Sequence, residues 1–179
     1  RGITRVVYPH LASHPQHELA VRQLQGGGGT VVTFDVAGGK AAAFAFMNAL
    51  TLVDISNNLG DSKSLTTHPA TTTHRRLAPE ARAAVGITDG TIRVSIGLED
   101  ERDLIADIDT ALAAAKEMIK TMEGLADGLQ ERLRRTEAEN EALRKELEKY
   151  REEEREMVEE VFRGGSGEFS GCDDREILE

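Results

Sequence analysis

Apolar and polar residues alternate in short runs through the first two thirds of the chain and then settle into one long periodic pattern. Residues 4–7, 30–36, 51–55 and 91–98 are rich in β-branched side chains and bounded by Gly, Pro or Asn, which predicts four strands. Between them, 16–25 and 40–50 have helical character, the second rich in alanine with Phe44, Met47 and Leu50 spaced along one face. A further helix is predicted to begin near Asp100. Its acidic first turn, Asp100, Glu101 and Asp103, complements the helix dipole, and Leu104, Ile105, Ile108 and Leu112 form its apolar stripe. This order of elements predicts an α+β fold with helices on one face of a largely antiparallel sheet.

From Leu112 a 3-4 spacing runs through Ala115, Ile119, Met122, Ala126, Leu129, Leu133, Thr136, Asn140, Leu143, Leu147, Tyr150, Glu154, Met157 and Val161. This heptad predicts that the last helix continues as a coiled coil over 116–163. It is firmest from Leu129 to Tyr150, because Gly124 and Gly128 each weaken a helix by about 1 kcal/mol. Asn140 at an a position is most easily satisfied by its own copy across a parallel two-fold axis. The g-to-e′ pairs Arg132 with Glu137, Glu139 with Arg144 and Glu146 with Arg151 are opposite in sign, so the expectation is a parallel homodimer. Antiparallel packing and a lone solvated helix stay open, since Thr136 and Glu154 also fall in the seam. After Phe162 the character changes again. Residues 164–179 hold 5 acidic groups and 1 basic group behind a Gly-Gly-Ser-Gly run resembling the linkers of fused proteins, which predicts a flexible tail.

With 179 residues the chain has room for one ordinary domain plus an extension, not for two full catalytic domains. A formal charge of −10 disfavours nucleic acid and anionic membranes as partners. No apolar run is long enough to span a bilayer and no signal-peptide pattern opens the chain, so the expected location is the cytoplasm. Cys172 is the single cysteine, which excludes an internal disulfide and a Cys-rich metal site. The opening Arg1, where a methionine is usual, suggests a piece of a longer or processed protein.

Few residues invite a chemical reading. Gly26, Gly27, Gly28 and Gly29 precede a strand, whereas a phosphate cradle follows one and opens a helix, so they read as a turn. Gly38, Gly39 and Lys40 resemble the end of a P-loop, but Phe34 stands where its first glycine belongs and Ala41 replaces the required hydroxyl. His10, His14 and His17 are interrupted by Pro15 and lack a further ligand at metal spacing, so structural or capping roles are expected and no metal. His68 and His74 flank Pro69, Ala70, Thr71, Thr72 and Thr73, a segment suited either to a polar pocket or to satisfying its own backbone. Arg93 sits inside the apolar strand 91–98, where an unpaired guanidinium is costly. A neighbouring carboxylate, a bound substrate carboxylate, or solvent on the far side of an alternating strand would each answer it.

Several blocks nonetheless carry a likeness. Tyr8-Pro9-His10-Leu11 and Ser13-His14-Pro15-Gln16-His17-Glu18-Leu19-Ala20 resemble the start of the C-terminal domain in the cystathionine γ-synthase-like enzymes, which use pyridoxal phosphate. Asn58-Leu59-Gly60-Asp61, Ser64-Leu65, His68-Pro69-Ala70-Thr71-Thr72-Thr73-His74, Gly86-Ile87 and Arg93-Val94-Ser95-Ile96-Gly97-Leu98-Glu99-Asp100 follow that family in order and spacing. The likeness covers 1–115 and is nearest to the sulfhydrylase branch. It implies a parent enzyme that makes homocysteine from an activated homoserine ester and sulfide. It further implies that Arg93 clamps the α-carboxylate of a small amino-acid substrate, with Asn58 and Thr73 nearby in the same pocket. The family's Schiff-base lysine lies in a preceding large domain. Lys40 and Lys63, the lysines before Ala115, do not match its motif, so this chain is expected to hold no catalytic residue and no pyridoxal phosphate by itself.

The expected organisation is therefore an enzyme C-terminal domain over 1–115, a coiled-coil helix over 116–163, and a linker with an acidic tail over 164–179. Two roles are compatible with it: a fragment of a transferase that supplies the substrate arginine, and an oligomerisation scaffold with the enzyme domain as a folded cap.

Overall fold

A computed structural model describes residues 2–164, so the tail expected over 164–179 lies, beyond Gly164, outside the described residues. The elements are β1 (Ile3–Val7), α1 (His17–Gln23), β2 (Val31–Val36), α2 (Gly39–Ala49), β3 (Asp54–Ile55), β4 (Leu65–Thr67), α3 (Pro79–Ala84), β5 (Thr91–Ser95) and α4 (Glu101–Gly164). The strands form one sheet in the order β1-β2-β5-β4-β3. The chain divides into two compact units, Arg1–Ala126 and Asp127–Glu179.

Strand alternation gives the sheet two faces of different character. Phe34 and Val36 of β2 and Ile92 and Val94 of β5 point to one face, where they form a core with Ala42, Ala43, Phe46 and Met47 of α2 and Leu104, Ala111 and Ala115 of α4. Phe46, fully buried, meets Phe34 edge-on with ring centroids 5.4 Å apart. Asp100 opens α4 by accepting a hydrogen bond from Arg102 N at 2.8 Å, an N-cap bond at the acidic end expected from the sequence. The opposite face carries Thr33, Asp35, Thr91 and Arg93, paired Thr33 to Arg93 and Asp35 to Thr91 across β2 and β5.

The sheet is mixed rather than antiparallel throughout. The β1–β2, β2–β5 and β5–β4 pairs are antiparallel, but β3 runs parallel to β4. The loop between them folds back under the end of β5, held by Gly60 N donating to Ser95 Oγ and Leu98 N to Ser62 O. The strand expected over 51–55 survives only as Asp54–Ile55. Its first three backbone N–H groups are taken instead by the Asp107 carboxylate of α4: Thr51 N at 2.7 Å, Leu52 N at 3.0 Å and Val53 N at 3.2 Å. No ladder can form where those donors are already used.

In the second unit every described residue from Asp127 to Arg163 is helical and exposed. Among the described residues no helix is long and apolar enough to cross a membrane.

Candidate functional site

A cavity of about 350 Å³ opens on the sheet face away from α2 and α4, and its walls include Thr33, Thr91 and Arg93 of the sheet, Thr73 and His74, and Gly86 just after α3. Arg93 lies between Thr33 on β2 and Thr67 on β4. Its Nη2 donates to the backbone carbonyls of Asn57 at 2.8 Å and Asn58 at 3.1 Å. These fix the direction of the guanidinium without cancelling its charge, and among the described residues no carboxylate lies within ion-pair distance of it. A half-buried arginine anchored by neutral acceptors is poised for an anion arriving from solvent, most favourably a planar carboxylate that takes two parallel hydrogen bonds.

The second arginine in the wall is neutralised. Arg5 Nε pairs with Asp35 at 2.8 Å, and its Nη2 donates to the Gly86 carbonyl, tying β1 to the segment that covers the cavity. Asp35, buried, also accepts from Thr91 Oγ1 at 2.6 Å, and Thr91 Oγ1 in turn accepts from Thr88 N at 2.8 Å. Arg5, Asp35, Thr91 and Thr88 are therefore linked in one relay of sheet, carboxylate and loop. Thr91→Val is expected to destabilise the domain by about 2 kcal/mol in thermal or denaturant unfolding, because it strands a buried carboxylate oxygen and a backbone N–H together.

The three residues expected at the site occupy different positions in it. Arg93 and Thr73 line the same cavity. Thr73 Oγ1 is 2.8 Å from His74 Nδ1, so the hydroxyl and the imidazole form one polar edge. Asn58 reaches Arg93 through its backbone carbonyl, and its own side chain is exposed. Its neighbour Asn57 holds the closer position: Asn57 Oδ1 accepts from Thr67 Oγ1 at 2.9 Å while its carbonyl takes Arg93. Sequence reasoning passed over Asn57, although the Asn-Asn pair before a glycine turn marks the loop.

The other candidates resolve into structure. His68 is buried, with Nε2 2.8 Å from the Asp89 carbonyl and Nδ1 2.9 Å from Thr71 Oγ1. A carbonyl can only accept, so Nε2 donates there, and the ring bolts the threonine run to the loop before β5. At the glycine run, Tyr8 Oη accepts from Gly28 N at 3.2 Å and donates to Gly29 O at 3.1 Å. Gly38, with φ +83°, stands before α2, and a side chain there would strike Ile119 of α4. His10 and His17 meet edge-on at 6.5 Å, and among the described residues no group of three or more His, Cys, Asp or Glu could hold a metal ion. Just before β4, Ser64 donates to Glu99 through its N–H at 2.6 Å and its hydroxyl at 2.7 Å, which holds the Glu99 carboxyl below its ordinary range.

Residues 1–113 match the family described as Cys/Met metabolism PLP-dependent enzyme. The chain is 61% identical over 114 residues to an O-succinylhomoserine sulfhydrylase of Mycobacterium tuberculosis strain H37Rv, an overlap of 60% of this chain and 27% of that protein. It is 58% identical over 113 residues to the O-succinylhomoserine sulfhydrylase of Pseudomonas aeruginosa, covering 63% of this chain and 28% of the other. Its fold is similar to a crystal structure of cystathionine gamma synthase from Xanthomonas oryzae pv. oryzae in complex with cystathionine. That likeness has a TM-score of 0.61 at 43% identity and spans 65% of this chain and 30% of the other. The chain thus spans between a quarter and a third of the length of the curated relatives it matches.

Proposed function

Because the chain belongs, through residues 1–113, to the Cys/Met metabolism PLP-dependent enzyme family, we propose that its domain is the substrate-recognition part of a cytoplasmic transferase that makes homocysteine from O-succinylhomoserine and sulfide. The observation that carries this reading is Arg93: a cation in a cavity, held by two carbonyls and matched by no carboxylate among the described residues. A substrate α-carboxylate placed on the free side of the guanidinium is held in one orientation, with Thr73 and His74 as further polar contacts. The identity to two O-succinylhomoserine sulfhydrylases supports the choice of acyl ester within the family.

The residues present do not fit pyridoxal phosphate as a Schiff-base site. Lys63 is bound to Asp54 at 2.9 Å, Lys40 lies over the Phe44 ring at 5.3 Å, and neither lines the Arg93 cavity. The remaining lysines, 116, 120, 145 and 149, are all exposed along α4. The chain accordingly supplies recognition and positioning, and no step of the cofactor's chemistry is assigned to its residues.

Titrating O-succinylhomoserine into the labelled chain and following backbone amide shifts tests this reading. Shifts are expected at Thr73, Thr91 and Arg93, with binding weakened about 10- to 100-fold in Arg93→Gln, the cost of removing a charge-assisted pair. Equal shifts in both proteins would overturn the role given to Arg93. Homocysteine formation is expected to be absent when the chain is mixed with pyridoxal phosphate, ester and sulfide, and a stoichiometric lysine aldimine band is expected to be absent when it is mixed with pyridoxal phosphate alone.

A further inference from the structure

The apolar stripe of α4 changes partner along its length. Its first three seam positions, Leu112, Ala115 and Ile119, pack into the core of the first unit with Val36, Ala42 and Phe46. From Leu129 onward the same stripe is bare. Leu129, Leu133, Leu143, Leu147, Tyr150, Met157 and Val161 are each more than half exposed, at 62%, 58%, 61%, 51%, 61%, 66% and 70%. The other apolar residues of that stretch are Ala138, Ala142 and Val158, the last beside the seam. A helix of roughly 50 Å with its large apolar side chains in one line has the surface of a coiled-coil strand.

The charges say what covers it. Around the outside of the helix, Glu131 pairs with Arg134 at 3.7 Å and Glu141 with Lys145 at 2.8 Å, and Glu153, at a g position, reaches back to Lys149 at 3.5 Å. Arg132, Glu137, Glu139, Arg144, Glu146 and Arg151, which flank the seam at g and e, join no ion pair among the described residues. In a parallel in-register pair they meet as Arg132 with Glu137′, Glu139 with Arg144′ and Glu146 with Arg151′, opposite in sign on both sides of the seam. An antiparallel pair sets g against g′ and e against e′. The g row is Arg132, Glu139, Glu146 and Glu153 and the e row Glu137, Arg144, Arg151 and Val158, so with 129–161 overlapped Glu139 then faces Glu153′, Glu146 faces Glu146′ and Arg144 faces Arg144′, like-charge contacts that the parallel pair avoids. Asn140, at an a position, finds its hydrogen-bond partner in its own copy only when the strands run parallel.

We propose that residues 129–161 pair with the same residues of a second copy of this chain as a parallel, two-stranded, in-register coiled coil. The seam between chains begins only past the part of the stripe that the first unit consumes. This self-association does not depend on the reading of the Arg93 cavity.

Sedimentation equilibrium of the full chain over a concentration series is expected to give twice the monomer mass. Leu143→Asp with Leu147→Asp is expected to return it to the monomer, while far-ultraviolet circular dichroism shows that the first unit stays folded. In a Cys172→Ser background, Asn140→Cys is expected to give a covalent dimer on mild oxidation. A second pair of variants leaves the seam intact. Glu139→Lys with Glu146→Lys and Arg144→Glu with Arg151→Glu are each expected to weaken the dimer at least 10-fold, and mixing the two is expected to restore it. A monomer at every concentration, a mass above the dimer, or a dimer indifferent to the Asp substitutions would each overturn the proposal. A dimer that fails to cross-link through position 140 would overturn its parallel register.

Discussion

Asp107→Ala is expected to lower the stability of the Arg1–Ala126 unit by about 4 kcal/mol, the largest single effect outside the aromatic core. The carboxylate is buried and accepts four hydrogen bonds, from the backbone N–H groups of Thr51, Leu52 and Val53 and from the Thr51 hydroxyl. Alanine leaves three backbone donors without an acceptor where the chain leaves α2, and each costs about 1–3 kcal/mol if water cannot reach it. Asp107→Asn keeps one carbonyl oxygen but turns an NH₂ group toward N–H donors, so a loss of about 2–3 kcal/mol is expected. Protonation acts in the same direction. Burial pushes the Asp107 carboxyl up, but the hydrogen bonds from Thr51, Leu52 and Val53 outweigh it and hold the group below its ordinary value. A carboxyl whose folded pKa is depressed contributes its stability in full above the unfolded value of about 4 and loses it as the pH falls through the lower folded value. Urea unfolding of the wild type and Asp107→Asn at pH 7 and at successively lower pH is the check. The gap between them should narrow below about pH 4, and a gap that widens toward acid would refute the assignment.

The same carboxylate explains where the sequence misled. Residues 51–55 have the composition of a strand, yet a side chain 54 to 56 positions from the donors takes the N–H groups a ladder would need, and no local pattern records that. β4 escaped notice because Leu65–Thr67 is three residues long and buried throughout, leaving neither length nor alternation to detect. Missing it also hid the parallel β3–β4 pair, and with it the mixed character of the sheet. α3 is six residues with no buried member, so it has no apolar stripe, although Pro79 at its first turn is an ordinary helix-start signal. The long-period elements were legible as helices, but their faces only in part: α2 buries Ala42, Ala43, Phe46 and Met47 while Phe44 is exposed, and the first turns of α4 bury Leu104 while Ile105 is exposed. At the cavity, the conflict between a charged side chain and an apolar strand singled out Arg93 before any likeness was invoked. That conflict could not choose between a protein carboxylate and a bound one, because the choice depends on which loop lies over the strand.

That loop is the subject of the second large effect. Gly97→Ala is expected to cost about 3 kcal/mol, and to weaken carboxylate binding at Arg93 at the same time. A Cβ at position 97 would collide with the Lys63 carbonyl carbon and the Ser62 oxygen and lie 2.6 Å from Ser64 N, all of them backbone atoms that no rotamer change can move. Gly97 N also donates to Ser64 Oγ at 2.8 Å, and Ser64 is bound in turn by Glu99, so the strand end and the loop are clamped at one place. The chain runs from that clamp back to Asn57 and Asn58, whose carbonyls aim the Arg93 guanidinium. Relief of the clash moves the 62–64 segment, and with it the acceptors that direct Arg93. Gly60→Ala is the control. Gly60 belongs to the same loop and has φ +75°, but nothing lies within 4 Å of its missing Cβ, so the substitution meets backbone strain of about 1 kcal/mol without a collision. Thermal unfolding and the amide-shift titration should therefore separate the two variants. Gly97→Ala should lose both stability and affinity, and Gly60→Ala should lose only about a third as much stability as Gly97→Ala. If both variants lose stability equally, close packing against 62–64 is not what requires glycine at position 97.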